Sequence, residues 1–405
     1  MTTERQMKFR KRAEKLLRGT GVKLIWPGSR TPAQPWDIVV HNEDLYERVF
    51  SAGSLGLGEA YMDGWWDCED LSEMFSRVLR ANIQDRVSRN LPSLWLIARY
   101  HLLNLQAGRR AAANAKAHYD IGNDLYEPML GPTMAYSCGY WYREGMTLDE
   151  AQRAKLELIC QKLKLPRKGS GKPMTVLDIG CGWGSFLFYA VEHYNVTVVG
   201  ITPAEEQVAY INARIKNEGV GNVRVVQTDS HSFARSRRRQ RFDRIVSVGM
   251  FEHVGPKNYR QFFEDSNKLL ADNGLMLLHT IGNEIPTQAG DPWIDRYIFP
   301  GGVIPSNGQI AAAHEGILHL EDLHNFSAHY DPTLMSWHDN YEKARSQLDH
   351  DKYSEREHRK QEYYLLQCAG MFRARRKQLF QYVFSKDGMP GGYKSVRDEI
   401  FADAA

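Results

Sequence analysis

Residues 176–184 read Val-Leu-Asp-Ile-Gly-Cys-Gly-Trp-Gly. Gly180, Gly182 and Gly184 follow directly on a short apolar run, the place where open α/β sheets bind ligands. Glycines there let backbone approach a ligand without interference from a Cβ. A dinucleotide loop needs G-x-G-x-x-G, but here the third glycine comes one residue early and Ser185 takes its place. That fingerprint also wants an acid at the end of the second strand, where this chain has Gly200, Ile201 and Thr202. No Gly-Lys-Ser/Thr follows, which excludes a Walker A loop. Asp178, just before the loop, would repel a pyrophosphate and suits a positively charged ligand.

From residue 174 onward the pattern alternates strand and helix, the signature of a parallel sheet covered by helices. Strands are expected at 174–179, 196–201, 223–227, 242–248 and 274–279, with helices at 185–194, 203–217 and 258–270. A long connection from about 280 to 330 interrupts the alternation, and connections of that length are usually lids or pockets. A long helix at 355–376 and a last strand at 379–385 close the chain. Residues 1–115 read as mostly helical. Leu71, Phe75, Val78 and Leu79 share one face of a helix at 70–80, a second apolar helix is expected at 91–105, and an Ala-rich connector follows at 111–117.

The chain has 405 residues, which predicts a large catalytic domain and a smaller one. A net charge of +3 is too balanced for a protein that lives on nucleic acid. No run approaches ~18 apolar residues, so a transmembrane helix is not expected, and the charged N-terminus lacks the apolar core of a secretory signal. Five widely spaced cysteines without a C-x-x-C suggest neither a disulfide framework nor a zinc site, and fit a reducing cytoplasm. His314, His319, His324 and His329 recur every five residues, a spacing that neither helix nor strand gathers, so no metal is expected. Two basic runs stand out: nine Lys/Arg in residues 1–30 and five Arg in 235–241.

The pattern D-x-G-x-G-x-G resembles the first motif of S-adenosylmethionine-dependent methyltransferases. In that fold the acid and the loop backbone hold the methionine end of a cofactor with an ammonium and a sulfonium. The resemblance implies a cofactor site at Asp178, Gly180, Cys181, Gly182 and Gly184. Thr202 and Gln207 are the nearest polar groups for the ribose, and Asp229 with Ser230 lies where the fold holds the adenine. Further motifs follow in order: His-Tyr-Asp-Ile-Gly-Asn-Asp at 118–124 running to Tyr-Ser-Cys-Gly-Tyr-Trp at 136–141, Val-Gly-Met-Phe-Glu-His-Val-Gly at 248–255, Leu-Leu-His-Thr-Ile-Gly at 277–282, Asp-Pro-Trp-Ile-Asp-Arg-Tyr at 291–297 and Cys-Ala-Gly at 368–370. Together they resemble the cyclopropane-fatty-acyl-phospholipid synthase family, including its mycolic acid relatives. The expected fold class is therefore α/β: a Rossmann-like S-adenosylmethionine-dependent methyltransferase sheet at 116–405, with a substrate-pocket insertion near 280–330. An N-terminal helical domain at 1–115 would serve lipid docking and dimerisation.

That resemblance implies a reaction. The cis double bond of an acyl chain attacks the sulfonium methyl group, and the resulting carbocation loses a proton so that the ring closes. Water must be kept out, since it would trap the cation, and aromatic faces tolerate the charge. Tyr136, Tyr140, Trp141, Phe251, Trp293, Tyr297, Phe299 and Tyr330 are candidates for such a lining. The family's base is a bound bicarbonate, implied here to be held by Cys138, Glu252, His279, the backbone at Ile281, and Tyr330. Cys368 falls in a family motif and is a secondary catalytic candidate, although no acid or histidine close in sequence would activate it. Tyr136 and Ser137 match positions that contact the cofactor in the mycolic relatives.

The implied partners are a phospholipid with an unsaturated acyl chain, reached by peripheral contact with the inner face of the membrane, and a second copy in a homodimer. The expected location is cytoplasmic. The nearest alternative is a methyl- or methylene-branched product from the same alkene. A small-molecule N- or O-methyltransferase and a non-catalytic lipid-surface protein are the more distant readings.

Overall fold

A computed structural model describes residues 4–26, 28–29, 32–82, 122–237 and 240–404. The helix expected at 91–105 and the connector at 111–117 lie outside the described residues. The chain divides into two units. The first gathers the described parts of Met1–Asn104 with Gln288–Pro300 and Tyr330–Lys377, and the second gathers those of Leu105–Thr287 with Gly301–His329 and Gln378–Ala405.

The first unit is largely helical, with a small sheet of β1 (Leu24–Ile25), β2 (Ile38–Val40) and β3 (Trp66–Asp67). Asp70 starts the Leu71–Arg80 helix by accepting a hydrogen bond from the Glu73 N–H at 2.9 Å. Leu71 and Phe75 of that helix are buried, while Val78 and Leu79 are half-buried. Its Ser72 and Phe75 meet Gly370 of the Glu355–Arg373 helix so closely that a Cβ on Gly370 would lie 2.6 Å from each. Tyr61, Trp66, Phe75, Trp293 and Tyr363 form an aromatic core, with Trp293 and Tyr363 centroids 4.6 Å apart.

The second unit is built on a seven-stranded sheet. Its strands are β4 (Met174–Ile179), β5 (Val196–Thr202), β6 (Val223–Gln227), β7 (Phe242–Val248), β8 (Leu270–Gly282), β9 (His319–Asn325) and β10 (Gln378–Ser385), in the order β6-β5-β4-β7-β8-β10-β9. The first five pair in parallel and β10 runs antiparallel to both of its neighbours. Alternate residues face opposite layers. Val176, Val198, Val246, Leu277 and Val383 pack with Leu156, Ile159 and Phe186 on one side. Leu177, Ile245, Met276, Leu278 and Phe384 pack with Phe262, Phe263 and Ile310 on the other. Each such side chain taken from water contributes about 1.5–3 kcal/mol.

The strands and helices expected from 174 to 270 are present within a few residues. The 280–330 stretch differs, because it contains the Pro292–Tyr297 and Asn307–His314 helices and the strand β9. β9 is a sheet edge with the sequence His-Leu-Glu-Asp-Leu-His-Asn, whose two leucines are exposed. It therefore lacks the apolar face by which a strand is recognised in sequence. The Leu148–Lys162 helix was not anticipated either, although Thr147 and Glu150 form a capping box at its start.

Candidate active site

The glycine loop leaves the carboxyl end of β4. The N–H groups of Gly180 and Cys181 both donate to the Ile201 carbonyl, at 2.9 and 3.1 Å, which ties the loop to β5. Gly180 has φ +83°, and a Cβ there would fall 2.5 Å from the Met250 side chain. Gly184, at φ +86°, precedes the Ser185–His193 helix and no side chain caps that helix. Asp178 is buried, and burial pushes its carboxyl up to about 7 against the opposing charge of Lys155. The Cys181 side chain belongs to the core layer beside Gly200, and burial raises its thiol well above the ordinary range, so the residue offers the loop its backbone.

At the end of β5 the Thr202 hydroxyl donates to Gln207 Oε1 at 2.6 Å and accepts from the Ala204 N–H at 3.2 Å. Thr202 is thereby committed locally. Gln207 is also buried, yet its Nε2 has no hydrogen-bond partner, an expensive state for a buried donor unless a ligand satisfies it. Beyond β6, Asp229 caps the Ser230–Ser236 helix, accepting from the Ser232 N–H at 2.9 Å and the Ser232 hydroxyl at 2.7 Å.

Lys155 is the residue that sequence reasoning missed. It lies on the Leu148–Lys162 helix, is 1% exposed, and donates to Ser137 Oγ at 2.7 Å. Burial brings its ammonium down to about 8, with Cys138 and Asp178 opposing that shift. Gln152, on the same helix, donates to the Ser137 carbonyl at 2.8 Å, so the segment ahead of Cys138 is held at two points. Cys138 is fully buried, with its thiol donating to the Gly139 carbonyl at 3.2 Å. Tyr136 stands edge-on to Tyr126 at 5.3 Å, which in turn packs on Trp183 of the loop.

Glu252 follows β7 in a short 3-10 turn and is buried. Its Oε1 accepts from the Ile281 N–H at 2.6 Å, while Oε2 has no partner. Burial pushes the carboxyl up to about 7, opposed first by the Ile281 amide and then by its own backbone amide. The Ile281 amide is thus spent on Glu252, and its carbonyl accepts from the Thr280 hydroxyl at 3.2 Å. His279, two residues earlier on β8, is 1% exposed; its Nδ1 lies 3.1 Å from Gln381 Nε2 and its Nε2 has no partner. Burial first, then the charges of Lys155 and Lys162, hold this imidazole well below its ordinary pKa, so it is neutral. The Gly249 N–H donates to the His279 carbonyl at 2.9 Å, which ties the end of β7 to β8.

The second unit therefore gathers Ser137, Cys138, Asp178, Glu252, His279 and Ile281 around the carboxyl ends of β4, β7 and β8. Tyr330 and Cys368 belong to the first unit. There Tyr330 stacks on Phe372 at 4.4 Å, and burial pushes the Cys368 thiol up to about 12, away from the thiolate form. Two of the proposed lining aromatics are core residues: Trp293 is fully buried, and Phe251 is stacked on Tyr259 at 4.5 Å beneath the turn that carries Glu252.

A buried acid before the loop, an unpaired donor at Gln207 and open space beside Gly182, where a Cβ would meet nothing within 4 Å, fit an adenosyl cofactor with a cationic methionine end. The strand order and loop define an α/β protein of the S-adenosylmethionine-dependent methyltransferase fold. A family model described as mycolic acid cyclopropane synthetase matches residues 106–382, and the chain belongs to that family. It is 47% identical over 364 residues to the cyclopropane-fatty-acyl-phospholipid synthase of Escherichia coli strain K12, covering 90% of this chain and 91% of the relative. A solved cyclopropane synthase from Mycobacterium tuberculosis superposes with a TM-score of 0.61 at 32% identity, covering 68% of this chain and 98% of that one. A mycolic acid cyclopropane synthase complexed with SAH and CTAB gives the same TM-score and coverage at 34% identity.

Proposed function

We propose that this chain converts the cis double bond of unsaturated acyl chains in membrane phospholipids into a cyclopropane ring, with S-adenosyl-L-methionine as the one-carbon donor. The observation that carries this reading is the 47% identity to the Escherichia coli synthase across nine-tenths of both chains. The sulfonium supplies an electrophilic methyl group, and a bicarbonate beside Glu252 supplies the acceptor for the proton lost on ring closure. The two buried atoms without partners, Glu252 Oε2 and His279 Nε2, support a small polar guest of that kind.

Asp178 and the glycine-loop backbone bind the methionine end, Gln207 donates toward the ribose, and the segment at Asp229 and Ser230 borders the adenine. Glu252 accepts a hydrogen bond through Oε2 while Ile281 anchors Oε1. His279 donates, and Cys138 donates once its thiol turns away from the Gly139 carbonyl. Burial of all three side chains keeps water from the cation. Tyr136, Tyr140 and Trp141 supply aromatic faces from the same unit. Roles for Tyr330 and Cys368 rest on the family resemblance alone.

The substrate lies in a bilayer, and among the described residues no helix is long and apolar enough to cross one. The Glu4–Leu17 helix buries none of its residues and exposes Lys8, Lys11 and Lys15. The exposed lysines support peripheral contact with an anionic membrane face, whereas the cytoplasmic location and the homodimer rest on the family resemblance alone.

The test is incubation with oleoyl-phospholipid vesicles and the cofactor, followed by NMR of the lipid. Cyclopropane ring protons are expected. New exomethylene or branched-methyl signals in their place would replace ring closure by the branching reaction, which mass alone cannot separate because both products add CH₂.

A further inference from the structure

His279 sits in a row of side chains that crosses three strands. Gln381 on β10 pairs in register with His279 of β8 on one side and with His324 of β9 on the other. By strand alternation this row faces the same layer as Leu277 and Val383, where the Leu148–Lys162 helix packs. Lys162, at the end of that helix and two helical turns after Lys155, reaches into the row. Its Nζ donates to Gln381 Oε1 at 2.8 Å and lies 3.0 Å from His324 Nδ1.

The directions of these bonds follow when Lys162 is an ammonium, which has N–H groups enough for both contacts and accepts nothing. Burial brings that group down to about 7, so the ammonium prevails below neutral pH. The amide oxygen of Gln381 then faces Lys162, because the reversed amide would set N–H against N–H. That leaves Gln381 Nε2 toward His279 Nδ1 at 3.1 Å, and an amide N–H only donates. Nδ1 is then the acceptor nitrogen of a neutral ring, and the proton resides on Nε2, the atom with no partner. Gln381 is fully buried and Lys162 equally so, which leaves no water to exchange these roles.

We propose that Lys162 and Gln381 are positioning residues that lock His279 as its Nε2–H tautomer, so that the imidazole donates a hydrogen bond into the active site and is barred from serving as the proton acceptor. The proposal rests on the reading of this site as the cyclopropanation site, and deepens it by fixing which group can be the base. The groups around Lys162 are part of the device. Asp322, held by Arg397 through two hydrogen bonds of 2.7 and 2.8 Å, favours the Lys162 ammonium while Arg397 opposes it, and His324 is kept neutral by burial, with its pKa near 3.

The test is nitrogen NMR of the full-length protein labelled in its histidines, with His279 assigned by comparison with His279→Gln. At pH 6, where Lys162 is charged and His279 is still neutral, the wild type is expected to show an unprotonated Nδ1 and a protonated Nε2 at that residue, and the opposite pattern would overturn the proposal. Gln381→Glu replaces the donor by a carboxylate that accepts from Nδ1–H while still meeting Lys162, so the tautomer should invert. Turnover on unsaturated phospholipid vesicles should then fall by roughly a hundredfold, the range for loss of a preorganised donor, with KM for S-adenosylmethionine unchanged. An unchanged tautomer, or an inverted one with full turnover, sinks the relay. Should Gln381→Glu fail to fold, Lys162→Met frees the amide to rotate and should give a mixture of both tautomers; a single Nε2–H form there is equally fatal. Wild-type protein that shows the expected tautomer but makes no cyclopropane would leave the relay standing and remove the proposed reaction.

Discussion

The Ile281 backbone N–H donates to Glu252 Oε1 at 2.6 Å, joining the end of β8 to the turn after β7 and fixing one carboxylate oxygen while the other stays unpartnered. A carboxyl so held cannot swing to find another partner. Glu252→Gln keeps the shape and the anchored oxygen but places an NH₂, which only donates, at the second position. It should lower kcat by about 10²- to 10³-fold and leave cofactor affinity, measured by calorimetry, unaltered. Full turnover would remove Glu252 from the proton path.

The same residue sets a pH dependence of two kinds. Its carboxyl is raised to about 7, so activity that needs the carboxylate should decline as pH falls through 7. Stability runs the other way. The folded protein keeps this proton to higher pH than the unfolded chain, so the favourable contribution is complete below about 4.5 and lost as pH rises through 7. Glu252→Gln should therefore gain stability relative to wild type between pH 5 and pH 8, by at most about 3 kcal/mol. Thermal melts at the two pH values check the sign, and a gap that widens toward acid would contradict it.

Lys155 holds Ser137 and opposes the burial that raises the Asp178 carboxyl. Lys155→Met should push that carboxyl further up and leave it protonated at neutral pH. The cationic end of the cofactor then loses its counter-charge, and cofactor Kd should rise at least roughly tenfold, a loss of ~1.4 kcal/mol, partly recovered at alkaline pH. Binding indifferent to both the substitution and the pH would mean Lys155 only fills space.

Gln207 carries a buried donor with no partner. Gln207→Met conserves length and burial but removes the acceptor of the Thr202 hydroxyl, a stability cost of about 1–3 kcal/mol. The adenosyl cofactor should bind ten- to a hundredfold more weakly, about 1–3 kcal/mol for a lost buried hydrogen bond. Isothermal titration measures this directly, and equal affinities would assign the ribose contact elsewhere.

On the Glu4–Leu17 helix, Lys8, Lys11 and Lys15 are exposed at spacings that share a face. Replacing all three by Gln should weaken sedimentation with anionic vesicles on the order of a hundredfold, from about 1 kcal/mol per charge. Wild-type binding should likewise fade with added salt. Association that ignores charge and salt would leave this helix without a part in docking.

The sequence alone determined the sheet from β4 to β8, the loop and the residues that motif resemblance marks, because apolar alternation and glycine spacing are local properties of the chain. Glu252 and His279 were legible only as members of motifs. Their burial, and the atom each leaves unpartnered, follow from strands that meet across tens of residues. Lys155, Lys162 and Gln381 were invisible for the same reason. A lysine reads as solvated surface until a helix turns it beneath a sheet, and a glutamine in a strand reveals nothing of the histidine 102 positions earlier with which it pairs. Strand β9 escaped because an exposed edge needs no apolar pattern. Backbone pairing, a tertiary fact, made it a strand, and desolvation, equally tertiary, turned ordinary acids, lysines and a histidine into groups whose protons can be directed.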